Sequence, residues 1–359
     1  MSGGFRSIPF SAMNLEDPFF DSLKEDYPAN PKFADWFQRK ANAGECALAA
    51  FSDDGYMVAL LYLKPESGEP VDLVEGRLPP MPRLKIDTLK ISESSRGDRL
   101  GEGAVGMALW QWRDSGLDKI YVTVFEKHHS LVGLLEKFGF KRAGLKSNGE
   151  SVYLRSRTTM DYSTAYRAFP FVNPSFEEAG ILTVDQGYHD QLFPYSELAG
   201  TEQEVVSVAA GNGVTKVYVG HGWHMAAAPN NPVLIYRRST GQSPGFKSVV
   251  TSYGVVSDVR QFKQEGRVLR PFEEYRELVK NKSVFDDEEL EAHWKKRSVV
   301  VVELVYLGYF GPGRNINWNW LDNNGLIKNC HPNQRTYTRD EFFKILRMGG
   351  VSVEDVVVH

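Results

Sequence analysis

The sequence predicts a mixed α/β layer, a mixed sheet with helices, followed by a small β-barrel-type α+β domain. Three observations carry this expectation. A chain of 359 residues is long for one hydrophobic core, so two domains are expected. Up to about residue 158, strand-like and helix-like runs alternate, and one helix is entered through a glycine-rich turn. Beyond residue 161 the chain is first irregular and aromatic, then rich in short β-type runs separated by Gly, Pro and Asn turns. The expected division is an α/β domain over 1–160, a linker over 161–182 and a barrel domain over 183–359.

The elements follow in order. Phe19, Phe20 and Leu23 form an apolar cluster among acids, which fits a short docking helix. FADWFQRKA (33–41) places Phe33, Trp36 and Phe37 on one helical face. CALAAF and YMVALLYL, joined by SDDG, read as a hairpin with an Asp-Gly turn. GRLPPMPR (76–83) is a loop, and LKIDTLKI (84–91) is a strand of roughly alternating pattern. The turn SESSRGDRLGEGA then opens a helix that runs to RDSG, and KIYVTVF (119–125) is a β-branched and aromatic strand. SLVGLLEKFGF (130–140) is a helix stopped by Gly139, and SVYLRSR is the last strand. In the second half EVVSVAA, VTKVYVG, PVLIYRR, FKSVVTSYGVVSDV and RSVVVVELVYLGYF are strands, interrupted by a helical pair within 272–297.

Composition narrows the class of function. With 42 Lys+Arg against 46 Asp+Glu the net charge is −4, so no chain-wide basic field draws nucleic acid or anionic lipid. Cys46 and Cys330 are far apart and belong to no CxxC unit, which speaks against a disulfide scaffold or zinc-cysteine site and fits a reducing cytoplasm. No run approaches the roughly 20 apolar residues of a membrane span, and the first residues hold no apolar leader segment. A cytoplasmic protein with no membrane partner is therefore expected.

The glycine turn carries the first chemical signal. A helix N-terminus offers unpaired N–H donors and the positive end of its dipole, and glycine lets backbone approach an anion closely. Gly101, Gly103 and Ala104 are small where such a cradle needs them, and Arg96 and Arg99 are candidates to hold a further phosphate. No GK[ST] follows, so a P-loop is not indicated; Gly101, Gly103 and Gly106 do spell GxGxxG, but the preceding strand is not the first of a repeated βαβ, so a dinucleotide fold is not indicated either.

Taken with its neighbours, the turn resembles the pyrophosphate loop of the GNAT superfamily of acyl-CoA-dependent N-acyltransferases. The matching parts run from about Cys46 to Tyr153: YMVALLYL, LKIDTLKI, RGDRLGEGA, KIYVTVF and LLEKFGFKRAG. The resemblance implies acetyl-CoA, or another acyl-CoA, held by Lys90, Ile91, Arg96, Arg99, Leu100, Gly101, Glu102, Gly103 and Ala104. In that family the backbone near Lys90 and Ile91 pairs with the pantetheine amides like an added strand. An N–H near Ile91 would polarise the thioester carbonyl. Three positions depart from the family pattern. Asp98 stands where an arginine or glutamine opens the loop, and Leu135 stands where a tyrosine often serves as general acid, with His128 in place of an earlier asparagine.

An amine must lose a proton to attack, so a base is needed. Glu93 is the leading candidate, with a solvated loop carboxylate or a helix-capping acid as the alternative. His128 can shuttle a proton near neutral pH or cap the next helix, and His129 is a weaker candidate. Tyr121 and Tyr153 are candidate replacements for the acid or plain core residues. Asp87 reads as a substrate contact or a buried hydrogen-bonded acid. His221 and His224 share a loop, but no neighbouring carboxylate or cysteine completes a metal set, so no metal is expected.

In the second half, Tyr236, Arg237, Arg238 and Lys247 surround a Gly/Ser/Pro turn, and Arg314, Trp318 and Trp320 follow in GRNINWNW. Lys295, Lys296 and Arg297 add a basic cluster beside DDEELE. Aromatic and basic residues at a barrel edge suit RNA contact, with barrel core as the alternative for the tryptophans. The arrangement resembles the PUA-like small barrels (ASCH and EVE relatives), which implies an RNA or modified-nucleobase partner; the GxKxxExR signature of ASCH domains is absent. The expected function is an N-acetyltransferase acting on an amine, on RNA or a nucleobase presented by the second domain. A non-catalytic RNA-binding regulator and a protein-directed acetyltransferase are the alternatives.

Overall fold

The computed structural model describes residues 4–28, 32–95, 97–194, 196, 209–222, 227–239, 241, 244–327 and 332–358. The chain is a mixed α/β protein that divides into two compact units: 1–135 with 140–155, and 136–139 with 156–359.

The first unit is built on a seven-stranded sheet. Its strands and helices are β1 (Arg6–Pro9), α1 (Asp21–Asp26), α2 (Phe33–Asn42), β2 (Cys46–Phe51), β3 (Met57–Glu66), β4 (Arg83–Ile91), α3 (Leu100–Ser115), β5 (Lys119–Val124), α4 (His129–Lys137), β6 (Lys141–Leu145) and β7 (Ser151–Ser156). Strand order is β1-β2-β3-β4-β5-β7-β6, with β4 and β5 parallel. The hairpin between β2 and β3 closes at Gly55, whose φ of 84° suits the Asp-Gly turn. Helix α3 ends at Gly116, in the left-handed conformation that stops a helix without a Cβ penalty.

One face of the sheet carries an aromatic cluster from the N-terminal segment. Phe10, Phe20, Phe33 and Phe37 pack there with Leu60 and Tyr62. A second cluster, on Ala59 and Leu100, joins β3 to the start of α3. Two strands were not expected: β1, which pairs with β2, and β6, which follows the Gly139 helix end. A short ribbon, Val71–Asp72 with Arg77–Leu78, also occupies part of the expected loop.

The second unit holds β8 (Glu178–Asp185), α5 (Gln186–Leu192), β9 (Thr215–Gly220), β10 (Pro232–Arg238), β11 (Val249–Gln264), α6 (Phe272–Val279), α7 (Asp287–Trp294), β12 (Val299–Tyr309), α8 (Trp318–Asn323) and α9 (Arg339–Met348). Sheet order is β9-β12-β11-β10-β8, followed by the short strand Tyr337–Thr338. Among the described residues the two ends of this order are not paired with each other. Strand β11 is long and shifts register against β12 at three places, so it coils strongly. Gly254 is needed there, because a Cβ at this position would lie 2.6 Å from the Val305 carbonyl oxygen.

The helical pair forms as α6 and α7, and α7 opens with a capping box between Asp286 and Glu289. The stretch expected as a linker is packed instead. Phe169, Phe171 and Val172 are fully buried, and β8 begins at Glu178, because aromatic side chains there fill the second unit's core. Most of the expected strand EVVSVAA lies outside the described residues, and its end belongs to a short helix, Ala209–Asn212.

Candidate functional site

The first unit's site grows out of β4. This strand pairs with β3 along its whole length, but the register slips once: Thr88 faces Tyr62 and Ile86 faces Leu63, leaving Asp87 as the extra residue. Such a bulge bends a strand and re-aims its side chains. On its other edge β4 pairs with β5 only from Arg83–Lys119 to Ile86–Val122. Pairing stops there, although β4 continues to Ile91 and β5 to Val124. Past the bulge the two parallel strands diverge, and the β5-facing edge of Asp87–Ile91 has no ladder partner on β5.

The bulge also sets which side chains face the next helix. Ile86, Leu89 and Ile91 lie opposite Leu63, Leu61 and Ala59, so all three share one sheet face despite the change of spacing. Ile91 packs into the cluster containing Leu100, which is 3% exposed. A Cβ on Gly101 would sit 3.7 Å from both Ile91 Cγ1 and Leu134 Cδ2, so the first turn of α3 lies directly against the end of β4. Gly103 and Ala104 are buried on the same helix. Arg99, the N-cap, has φ 59° and makes no side-chain cap. The Gly103 amide bonds back to the Arg99 carbonyl, so the intrahelical ladder begins there, and the amides of Leu100 and Gly101 precede it in the first turn. An anion-competent helix start thus stands beside an open strand edge.

The two arginines are differently placed. Arg99 donates to both oxygens of Glu102 at 2.9 Å, so that pair is internally neutralised. Arg96 lies outside the described residues. Asp98 donates its amide to the Ser95 carbonyl. Glu93 begins a short 3-10 turn and is exposed. Lys90 reaches the other sheet face, where its ammonium lies against Ser22 and over the Phe19 ring.

His128 immediately precedes α4, and its carbonyl accepts from Leu131 and Val132. Its imidazole Nε2 lies 3.0 Å from Asp26, which also pairs with Lys127. Burial pushes the Asp26 carboxyl up, but the hydrogen bonds from Lys127 and His128 outweigh it and hold the group below its ordinary range. His129 is exposed.

The tyrosine candidates are committed elsewhere. Tyr121 is buried and donates to Glu66 at 2.7 Å, toward the Arg83 end of β4 and away from the divergence. Burial, with that hydrogen bond, pushes its phenol well above the ordinary value. Tyr153 is buried and donates to Glu126 at 3.3 Å. Leu135 is fully buried.

Sequence reasoning did not find the polar network on the N-terminal face. Glu150 accepts from Tyr27 (2.6 Å), Asn148 (2.8 Å), Thr123 (2.9 Å) and Lys146 (3.0 Å). Burial raises its pKa, and these donors more than reverse the shift. Asp87 accepts from Trp36 at 3.3 Å and pairs with Lys85 at 2.5 Å. No local pattern signals these contacts, since Tyr27 and Glu150 are 123 residues apart.

In the second unit the expected RNA-contact residues are only partly at the surface. Tyr236 and Arg237 are buried, because β10 is paired on both edges, by β8 and by β11. Arg237 holds Asp190 through two 2.8 Å bonds, and Arg238 holds Asp185 at 2.5 and 3.0 Å. Trp318 is half-buried beside Tyr236, with ring centres 6.1 Å apart. Lys247, Arg314, Lys295, Lys296 and Arg297 are exposed. His221 bonds His293 through Nε2 and Nδ1 at 2.8 Å, and His224 lies outside the described residues. Among the described residues no group of three His, Cys, Asp or Glu could hold a metal. No described helix is long and apolar enough to cross a membrane.

No protein-family model matches the sequence. No curated protein matches it either. Solved structures do show likeness. An ASCH mutant protein from Zymomonas mobilis superposes with TM-score 0.31 at 10% identity, over 47% of this chain and 95% of its own. A GNAT superfamily phosphinothricin acetyltransferase from Sinorhizobium meliloti, in complex with acetyl-CoA, gives 0.32 at 13% identity, over 44% and 89%. Naa20 of Chaetomium thermophilum with a bisubstrate analogue gives 0.31 at 12%, over 42% and 83%.

Proposed function

We propose that the first unit is an acyl-CoA-dependent N-acyltransferase. One observation carries the reading: the β4–β5 divergence opens beside the N-terminus of α3. A strand edge with free amide and carbonyl groups suits the two amides of a pantetheine arm. The start of α3 at Leu100 and Gly101, with the helix dipole behind it, suits a pyrophosphate. Gly101 lets the first turn of α3 lie close against the end of β4. Acyl-CoA would supply an activated acyl thioester there, and the backbone N–H groups around Ile91 would polarise its carbonyl oxygen.

The acceptor is an amine. His128, oriented by Asp26 at 3.0 Å, takes the proton that the attacking nitrogen loses, and Glu93 is the second candidate base. Tyr121 is a poor source of the proton for the departing thiolate, since its phenol is committed to Glu66. An RNA or nucleobase acceptor at Tyr236 and Arg237 draws no support from their burial.

A second reading, acyl-CoA binding without transfer, is favoured by Leu135 in the core where an acid is otherwise expected. Titration calorimetry with acetyl-CoA, followed by thiol-release assays over a panel of amines, separates the readings. Binding with turnover supports transfer, binding alone supports the second reading, and no binding at millimolar acetyl-CoA contradicts both.

A further inference from the structure

The open stretch of β4 carries one side chain with no part in the acyl-transfer reading. The Ser92 amide donates to the Val58 carbonyl on β3, so the alternation of an antiparallel ladder turns the Ile91 amide the other way, into the gap beside β5. Lys90 is the residue before it. Leu89 and Ile91 share the sheet face that meets α3, and the pleat therefore sends the Lys90 side chain to the opposite face. Its flexible four-carbon arm starts one residue from the amide that would polarise a thioester carbonyl.

The surroundings of this amine set it apart from other lysines of the unit. Lys85 pairs with Asp87, Lys127 with Asp26 and Lys146 with Glu150. Lys90 instead meets the Ser22 hydroxyl and the face of Phe19, its nitrogen 5.3 Å from the ring centre. Among the described residues it forms no ion pair. Burial holds the amine below the ordinary lysine value, against the pull of Asp26, Asp21, Glu25 and Glu93. A lysine so placed has a larger neutral fraction, and the neutral amine is the nucleophile.

We infer that Lys90 is itself an acyl acceptor, a lysine that the chain modifies from acyl-CoA held along β4; this rests on the acyltransferase reading and adds a modification site to it. The Nζ lone pair attacks the thioester carbonyl carbon. The N–C bond forms as the C–S bond breaks, and the proton shed by the nitrogen goes to the departing thiolate. The products are an amide on Lys90 and a free thiol, with no further reactant. An amine bound at the same gap competes with Lys90, so self-acylation belongs to the chain without its acceptor. It also removes a cation from beside Asp21, Glu25, Asp26 and Glu93, which leaves that mouth more acidic.

The test incubates the full chain with acetyl-CoA and no added amine, and follows acetylation lysine by lysine with peptide mass spectrometry. Calorimetry on the same sample reports acetyl-CoA binding. Exposed Lys32 and Lys141 give the chemical background. The inference predicts that Lys90 is acetylated about a hundredfold faster than either. Its rate should saturate with acetyl-CoA and stay independent of protein concentration, and total acetylation of Lys90→Arg should fall to the background. A second readout needs no acetyl-CoA: trace labelling with acetic anhydride across pH should give Lys90 a titration midpoint below those of Lys32 and Lys141. If acetyl-CoA binds but Lys90 reacts no faster than the exposed lysines, or its rate climbs with protein concentration, the inference is overturned while the acyltransferase reading stands. A Lys90 midpoint level with the exposed lysines overturns it as well. Absence of acetyl-CoA binding overturns both.

Discussion

The His128 imidazole lies 3.0 Å from the Asp26 carboxylate, joining the mouth of α4 to the N-terminal segment across 102 residues of chain. A carboxylate on one ring nitrogen fixes the tautomer and the orientation of the ring. If His128 is the base, His128→Gln lowers kcat by about a hundredfold while acetyl-CoA affinity stays unchanged, the range expected for general-base loss. Asp26→Asn, which leaves the ring in place but removes the carboxylate that orients it, should lower kcat less. Equal activity of wild type and His128→Gln assigns the proton elsewhere, with Glu93→Gln the next variant to assay.

Gly101 tests the cradle by size. A Cβ there meets Ile91 and Leu134 at ordinary contact distance, so Gly101→Ala should fold normally and bind acetyl-CoA nearly as well as wild type. Gly101→Val adds branches where no room remains and should weaken binding by about tenfold or more. Equal binding by the valine variant would contradict a cradle at this turn.

Glu150 is a stability test independent of catalysis. Its carboxylate is 3% exposed and accepts from four donors. In Glu150→Gln an amide N–H₂ faces donors, which should cost about 2 kcal/mol in urea unfolding. Its folded pKa is depressed, so this contribution is present above the unfolded carboxyl value and is lost as pH falls through the acid range.

Histidines dominate near neutrality. His189, His221 and His293 are each held below the ordinary value of 6.5, chiefly by burial. The unfolded chain therefore binds more protons as pH falls through 6.5, and stability drops in that window. The depressed carboxylates Asp26, Glu150 and Glu303 act only at lower pH. Melting temperature should fall between about pH 7.5 and about pH 5.5. A flat profile there would contradict imidazoles held neutral by the fold.

Much of the first unit was legible, for physical reasons visible in its residues. The Asp-Gly turn, the amphipathic α2 and the glycine entry to α3 are local signals, and each formed as expected. Even the bulge left a trace. In LKIDTLKI the apolar positions run Leu84, Ile86, then Leu89, Ile91, a change of parity at Asp87 and Thr88 that a regular strand would not show. What stayed hidden is long-range. RSIP is too short and too polar to announce β1, and Asp26–His128 and Tyr27–Glu150 form only when distant segments meet. In the second unit, a run of basic and aromatic residues read as a surface, but two-sided pairing of β10 put Tyr236 and Arg237 inside.

The measurement closest to the central claim is hydrogen–deuterium exchange of the whole chain with and without acetyl-CoA. Binding at the β4–β5 divergence and the α3 N-terminus predicts slower exchange in segments covering residues 87–91 and 100–103, with the second unit's sheet unchanged. Protection absent from both segments at saturating acetyl-CoA, or confined to the second unit, would contradict it.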